Sequence, residues 1–227
     1  MKKAFLATIP IMAGYIILGT GFGIILETKG HGIIWSLAMS LFIYAGSMQY
    51  VAIDLITGGA SLITAALTTL MVNARHLFYG ISMVDRYRNA GRKKPYMIFA
   101  LTDETYSLVC GKTGENEEQY GRYCFLVSLF NQLYWVAGCC AGAVIGSVIT
   151  FNTEGIDFAL TALFVSVFVE QWLTAKNHSY ALIGVGASAA CLLIFGADNF
   201  LIPAMLTITA ALTAAGKIKG ELFNDRY

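Results

Sequence analysis

Runs of apolar, almost uncharged residues close to bilayer length constrain this chain more than any other feature. They fall at about 5–26, 33–57, 61–84, 96–111, 123–150, 157–173, 180–197 and 199–216 of 227 residues. A membrane-crossing helix needs about 20 such residues. The connections are short, and only 13% of the chain is charged, against roughly 25% in soluble domains. The expected fold class is therefore all-α: a polytopic integral membrane protein with seven or eight membrane segments, forming one transmembrane domain over residues 1–227. Phe5–Leu26 follows Met1-Lys2-Lys3 in the manner of a secretory signal. It is longer than the ~7–15-residue core of such signals, so it reads as the first membrane helix.

The balance of charge excludes some functions and suggests an orientation. A net charge of +1 leaves no basic surplus for nucleic acid. Residues 85–94 carry five positive charges and one negative, which places this connection in the cytoplasm. The connections at Thr150–Asp157 and Ala197–Asn199 lack Lys and Arg and belong outside, and the Lys217/Lys219 tail belongs inside. Counting back through four spans puts Gly111–Arg122 on the same side as 85–94. Segment 96–111 is short and contains Asp103 and Glu104, so it is expected to re-enter from the cytoplasm. Segment 33–57 is interrupted by Gly46-Ser47 and reads as two half-helices. Irregular backbone at membrane depth requires protein or water to satisfy its polar groups.

Two patterns recur about half a chain apart. Gly19-x3-Gly23 returns as Gly138-x3-Gly142, and Phe42-x6-Gln49 as Phe164-x6-Gln171, at offsets of 119 and 122 residues. An internal duplication, common in secondary transporters, and coincidence both account for them. Gly138, Gly142 and Gly146 form a small-xxx-small ladder, expected to pack a helix or dock a second subunit. The five cysteines lie in or beside apolar segments without CxxC spacing and read as small buried hydrophobes.

Arg75 is the one Lys or Arg inside a long apolar segment, and a cation at membrane depth faces a cavity or a partner. On a helix, Asn73, His76 and Gly80 share a face, with Arg75 and Tyr79 on an adjacent one. Arg75 has two readings, a structural counter-ion or a clamp for an anionic ligand. His76 carries the side-chain type that exchanges protons near neutral pH. Asp103 and Glu104 are the candidate partners of Arg75, or else the acidic first turn of a helix. Gly46 and Ser47 permit a helix break whose N–H groups bind anions, with Gln49 adding a donor and acceptor; close packing of small residues is the alternative. Asp54, Asn131-Gln132 and Glu170-Gln171 are lesser candidates. With three histidines in the chain, no metal or cofactor set is expected.

Together, Phe42-x3-Gly46-Ser47-x-Gln49, Asn73-Ala74-Arg75-His76-x2-Tyr79-Gly80 and Leu101-Thr102-Asp103-Glu104-Thr105 resemble the signature blocks of the AzlC (YgaZ) family. These are large subunits of bacterial branched-chain amino acid exporters. The resemblance covers most of the chain and is strongest over 40–110. It implies secondary export of valine, leucine, isoleucine and methionine across the bacterial inner membrane. It also implies proton coupling, a small AzlD (YgaH)-like membrane partner and no enzymatic activity. On this reading Gly46, Ser47, Gln49, Asn73, Arg75, Tyr79, Asp103 and Glu104 contact substrate, and His76 or Asp103 carries the proton. The competing expectations are a membrane subunit of an ATP-driven transporter and an intramembrane enzyme, for which no GxSxG context exists.

Overall fold

A computed structural model describes residues 1–110, 117–148, 158, 161–162, 165, 168–169, 172–173, 178–196, 200, 203–204 and 206–214, without the side chains of positions 74, 75, 77, 78 and 117. The chain divides into two compact units, Met1–Leu163 and Phe164–Tyr227. The first contains α1 (Lys2–Thr28), α2 (Ile33–Phe42), α3 (Gly46–Thr57), α4 (Leu62–Val72), α5 (Ala74–Met83), α6 (Lys94–Phe99), α7 (Asp103–Cys110) and α8 (Glu117–Val148). The second contains α9 (Ser179–Phe195) and a helical stretch at 206–214. Cys191 of α9 and Thr207 lie 3.8 Å apart, Sγ to Oγ1. No strand occurs among the described residues, as the apolar runs require.

Two of the described helices, α1 and α8, are long and apolar enough to cross a membrane alone. They run parallel and pack backbone against backbone. A Cβ on Gly138 would lie 2.9 Å from the carbonyl oxygens of Tyr15 and Ile16, one on Gly142 would strike the Thr20 carbonyl, and one on Gly146 would lie 3.0 Å from Glu27 Cβ. From the other side, a Cβ on Gly23 would strike the Cys139 carbonyl. The two Gly-x3-Gly motifs therefore face each other across one seam, where small residues let helices approach closely. Phe164 and Gln171, the other half of the repeat argument, lie outside the described residues.

Two hairpins of short helices are set against this pair. Ser36 Oγ in α2 donates to the Cys139 carbonyl at 2.9 Å, and Gln132 Nε2, midway along α8, donates to the Leu41 carbonyl at 3.2 Å. Gly46 then starts α3 beneath the Trp135 ring, and Tyr50 Oη donates to the Leu18 carbonyl at 2.6 Å. So α2 runs from the far end of α8 to its middle, and α3 climbs back along α1. The other hairpin mirrors this from the opposite end. Lys93 Nζ sits 5.3 Å from the Phe125 ring near the start of α8, and Tyr96 Oη donates to Gln132 Oε1 at 2.7 Å. After the turn at 100–102, α7 returns until Tyr120 Oη donates to the Val109 carbonyl at 3.1 Å. With 10 and 12 residues in one hairpin and 6 and 8 in the other, each arm measures about 9–18 Å, short of the ~30 Å hydrocarbon core.

Each of the five apolar segments expected within residues 1–148 forms helix. Over residues 1–148 there are two long helices and three divided segments. Divisions at 33–57 and 96–111 match the expectation, and the third, between α4 and α5 at Asn73, adds to it. Each break has a local cause. Tyr44 takes a left-handed backbone, φ 44°, which costs a non-glycine residue about 1–2 kcal/mol; its ring is buried and packs against Phe99. Asn73 caps both neighbouring helices at φ −93°, ψ 3°, a region short polar residues occupy readily. Thr102 Oγ1 accepts the Thr105 N–H at 3.2 Å, capping α7, and the acids at 103 and 104 suit the positive helix end.

Candidate functional site

The two hairpin turns meet at the middle of the long helices, where α1 contributes Tyr15 and α8 contributes Asn131 and Trp135. Tyr15 Oη donates to Glu104 Oε2 at 2.7 Å and shares a 2.8 Å hydrogen bond with Thr102 Oγ1. Thr102 Oγ1 bonds to Thr105 Oγ1 at 3.1 Å, and Asn131 Nδ2 donates to Thr105 Oγ1 at 3.0 Å. Alongside, Trp135 Nε1 donates to Gln49 Oε1 at 2.8 Å, and the Tyr15 and Trp135 rings meet edge to face at 5.5 Å. Gly46 fits closely here: a Cβ would sit 3.0 Å from the Trp135 indole, which would have to shift by a few tenths of an ångström. Hydrophobic residues including Met39, Met48 and Ile53 form the surrounding core.

Two polar atoms in this cluster are buried with no hydrogen-bond partner among the described residues: Gln49 Nε2 and Asn131 Oδ1. An unmet buried donor or acceptor costs about 1–3 kcal/mol, so such groups are where a polar ligand or water would be held. The N-terminus of α3 points into the same region with no side-chain cap and no acid in its first turn. A half-buried carboxylate, an uncapped helix start and unused amide groups within an apolar shell are the complement of a small zwitterion.

Of the residues singled out from sequence, Gly46, Gln49 and Glu104 belong to this cluster, and buried Ser47 lies at the start of α3. Asn73, His76 and Tyr79 form a separate group. His76 Nδ1 lies 3.3 Å from the Asn73 carbonyl, and the Tyr79 ring stacks on Tyr106 of α7 at 4.8 Å. Asn73 Oδ1 is buried with no partner among the described residues. Helix α7 touches both groups. Positions 104 and 106 lie on opposed sides of a helix, so Glu104 meets α1 while Tyr106 meets α5. Asp103 is half-buried in the first turn of α7. The Arg75 side chain lies outside the described residues, as do Glu170 and Gln171.

Among the lesser candidates, Gln132 ties the last turn of α2 to Tyr96, and Asp54 is exposed near the end of α3. The sequence reading missed Tyr15 and Trp135, which stand in apolar runs outside any polar block.

The sequence is similar to several known proteins. The family model described as AzlC protein matches residues 10–149. The branched-chain amino acid transport protein AzlC of Bacillus subtilis is 47% identical over 216 residues, spanning 95% of this chain and 85% of that protein. An uncharacterized membrane protein of Helicobacter pylori is 41% identical over 93% of this chain and 92% of its own length. Inner membrane protein YgaZ of Escherichia coli is 29% identical over 80% of this chain and 77% of its own length. No solved structure matches.

Proposed function

The chain belongs to the AzlC family, and from that premise we propose that it is a secondary transporter, not an enzyme. It exports branched-chain amino acids, and methionine, across the bacterial inner membrane. The observation that carries this reading is the Tyr15–Glu104 pair beneath the uncapped α3 N-terminus, at the meeting point of two half-depth hairpins. Discontinuous helices whose ends converge near the membrane midplane are how secondary transporters build substrate sites. Glu104 receives the substrate ammonium, while the α3 N-terminus at Gly46-Ser47 and Arg75 receive its carboxylate. Gln49 Nε2 and Asn131 Oδ1 supply the remaining donor and acceptor, and the apolar and aromatic shell that includes Met39, Met48 and Ile53 accepts the branched side chain.

Export is driven by proton entry, with His76 or Asp103 carrying the proton. The 85–94 connection, the starts of α1 and α8, and the C-terminus face the cytoplasm. On that placement α2–α3 enters from outside and α6–α7 from inside, and α4–α5 crosses between them. The transporter works with a small AzlD (YgaH)-like membrane subunit.

Everted membrane vesicles test this reading. Respiring vesicles with this chain and its small partner should accumulate labelled leucine, and a protonophore should abolish the accumulation. Failure to accumulate any branched-chain substrate with both subunits present contradicts the proposal. Arg75→Gln should lower accumulation about tenfold, the value of one charged hydrogen bond, at unchanged protein level; normal accumulation would return Arg75 to a counter-ion role. His76→Asn should keep leucine counterflow yet lose proton-driven accumulation, and unchanged proton-driven transport would exclude His76 as the carrier.

A further inference from the structure

Where α1 and α8 begin, a cavity of about 450 Å³ is lined by Lys2, Lys3, Gln119, Arg122, Tyr123 and Leu126. No described carboxylate lines it; Glu118 adjoins Gln119 on α8 but lies outside the lining. Helix α1 opens without a side-chain cap and without an acid in its first turn, so its free N–H groups and positive dipole end add to the three cations. The floor is fixed: Ala4 and Tyr123 are buried in one core with Met97 of α6 and Val109 of α7. Three cationic side chains around a rigid floor repel one another until an anion joins them. Above the cavity, exposed Leu6 and Ile9 follow Lys2 at helical spacing and continue it as an apolar track.

We propose that this cavity binds the phosphate headgroup of an anionic phospholipid, with its acyl chains lying along Leu6 and Ile9. The anion neutralises Lys2, Lys3 and Arg122, and the apolar track distinguishes a lipid from free phosphate. The site adjoins the base of the α6–α7 hairpin and is independent of which amino acid is transported. Only its assignment to the cytoplasmic leaflet rests on the proposed orientation.

Native mass spectrometry of the purified chain with phosphatidylglycerol, phosphatidylcholine and inorganic phosphate tests it. The wild-type chain should retain phosphatidylglycerol over phosphatidylcholine. Arg122→Gln should lower retention about fivefold, and Lys2→Gln/Lys3→Gln/Arg122→Gln should remove the preference. Arg88→Gln removes an exposed cation at the same end but outside the lining, and should change nothing. Equal retention of both lipids by the wild-type chain, or an undiminished preference in Arg122→Gln, overturns the proposal. If millimolar inorganic phosphate displaces the lipid completely, the cavity takes a free anion and the lipid assignment is wrong. These side chains are exposed, so folding is not at risk in the single variants.

Discussion

Glu104→Gln should reduce leucine transport at low substrate concentration by about one to two orders of magnitude, while the protein folds and inserts normally. The amide keeps an oxygen that can accept the Tyr15 hydroxyl now at 2.7 Å, so the packing between α1 and α7 survives. What disappears is the negative charge. A hydrogen bond to an ionised group contributes about 1.5–3 kcal/mol, and each 1.4 kcal/mol is a factor of about ten in affinity. Tyr15→Phe makes the complementary change: it leaves the carboxylate but removes its fixed donor, so a smaller loss is expected. If Glu104→Gln instead transported normally, the Tyr15–Glu104 pair would be a structural lock and the substrate ammonium would have to be held elsewhere.

Gly142→Leu should abolish folded protein altogether. A Cβ at this position strikes the Thr20 carbonyl, which is backbone and cannot rotate away. Overpacking a compliant core already costs about 1–3 kcal/mol. Separating two parallel helices along their seam costs more, because contacts are lost along most of both lengths. The expected readout is aggregation or absence of a monodisperse peak in detergent, with protein removed in vivo. Gly14→Ala is the control. A Cβ there meets nothing within 4 Å, and alanine favours the helix by roughly 0.8–1 kcal/mol, so this variant should be as stable as the wild type or more so. A well-folded Gly142→Leu protein would mean that α1 and α8 do not touch through this face.

The glycine seam was the most legible part of the fold, because repeated small residues at a spacing of four have few other uses in an apolar helix. The hairpin turns were partly legible. Gly46-Ser47 and the acids at 103 and 104 advertise breaks through residues that disfavour or cap helices. Asn73 did not, because a single asparagine in an apolar run is compatible with an unbroken helix, and tertiary packing decides. Tyr44 runs against propensity outright, since its left-handed backbone is tolerated only where the surrounding contacts enforce it. In the sequence Asp103 and Glu104 read as one acidic pair, either partners of Arg75 or the first turn of a helix. Neighbours on a helix diverge by about 100°, and Glu104 turns to Tyr15 on α1, while Asp103 lies half-buried in the first turn of α7. Tyr15 and Trp135 carry no local signature at all; they matter because hairpins distant in sequence end beside them.

Counterflow into proteoliposomes tests the central claim most directly. Vesicles containing this chain and its small partner are preloaded with an unlabelled amino acid and diluted into trace labelled leucine. If the site between the hairpin turns holds branched-chain zwitterions, label accumulates when the lumen contains leucine, valine, isoleucine or methionine, and not when it contains lysine or glutamate. Glu104→Gln suppresses the accumulation. Absence of counterflow with branched-chain substrates, or equal counterflow with lysine, would contradict the account.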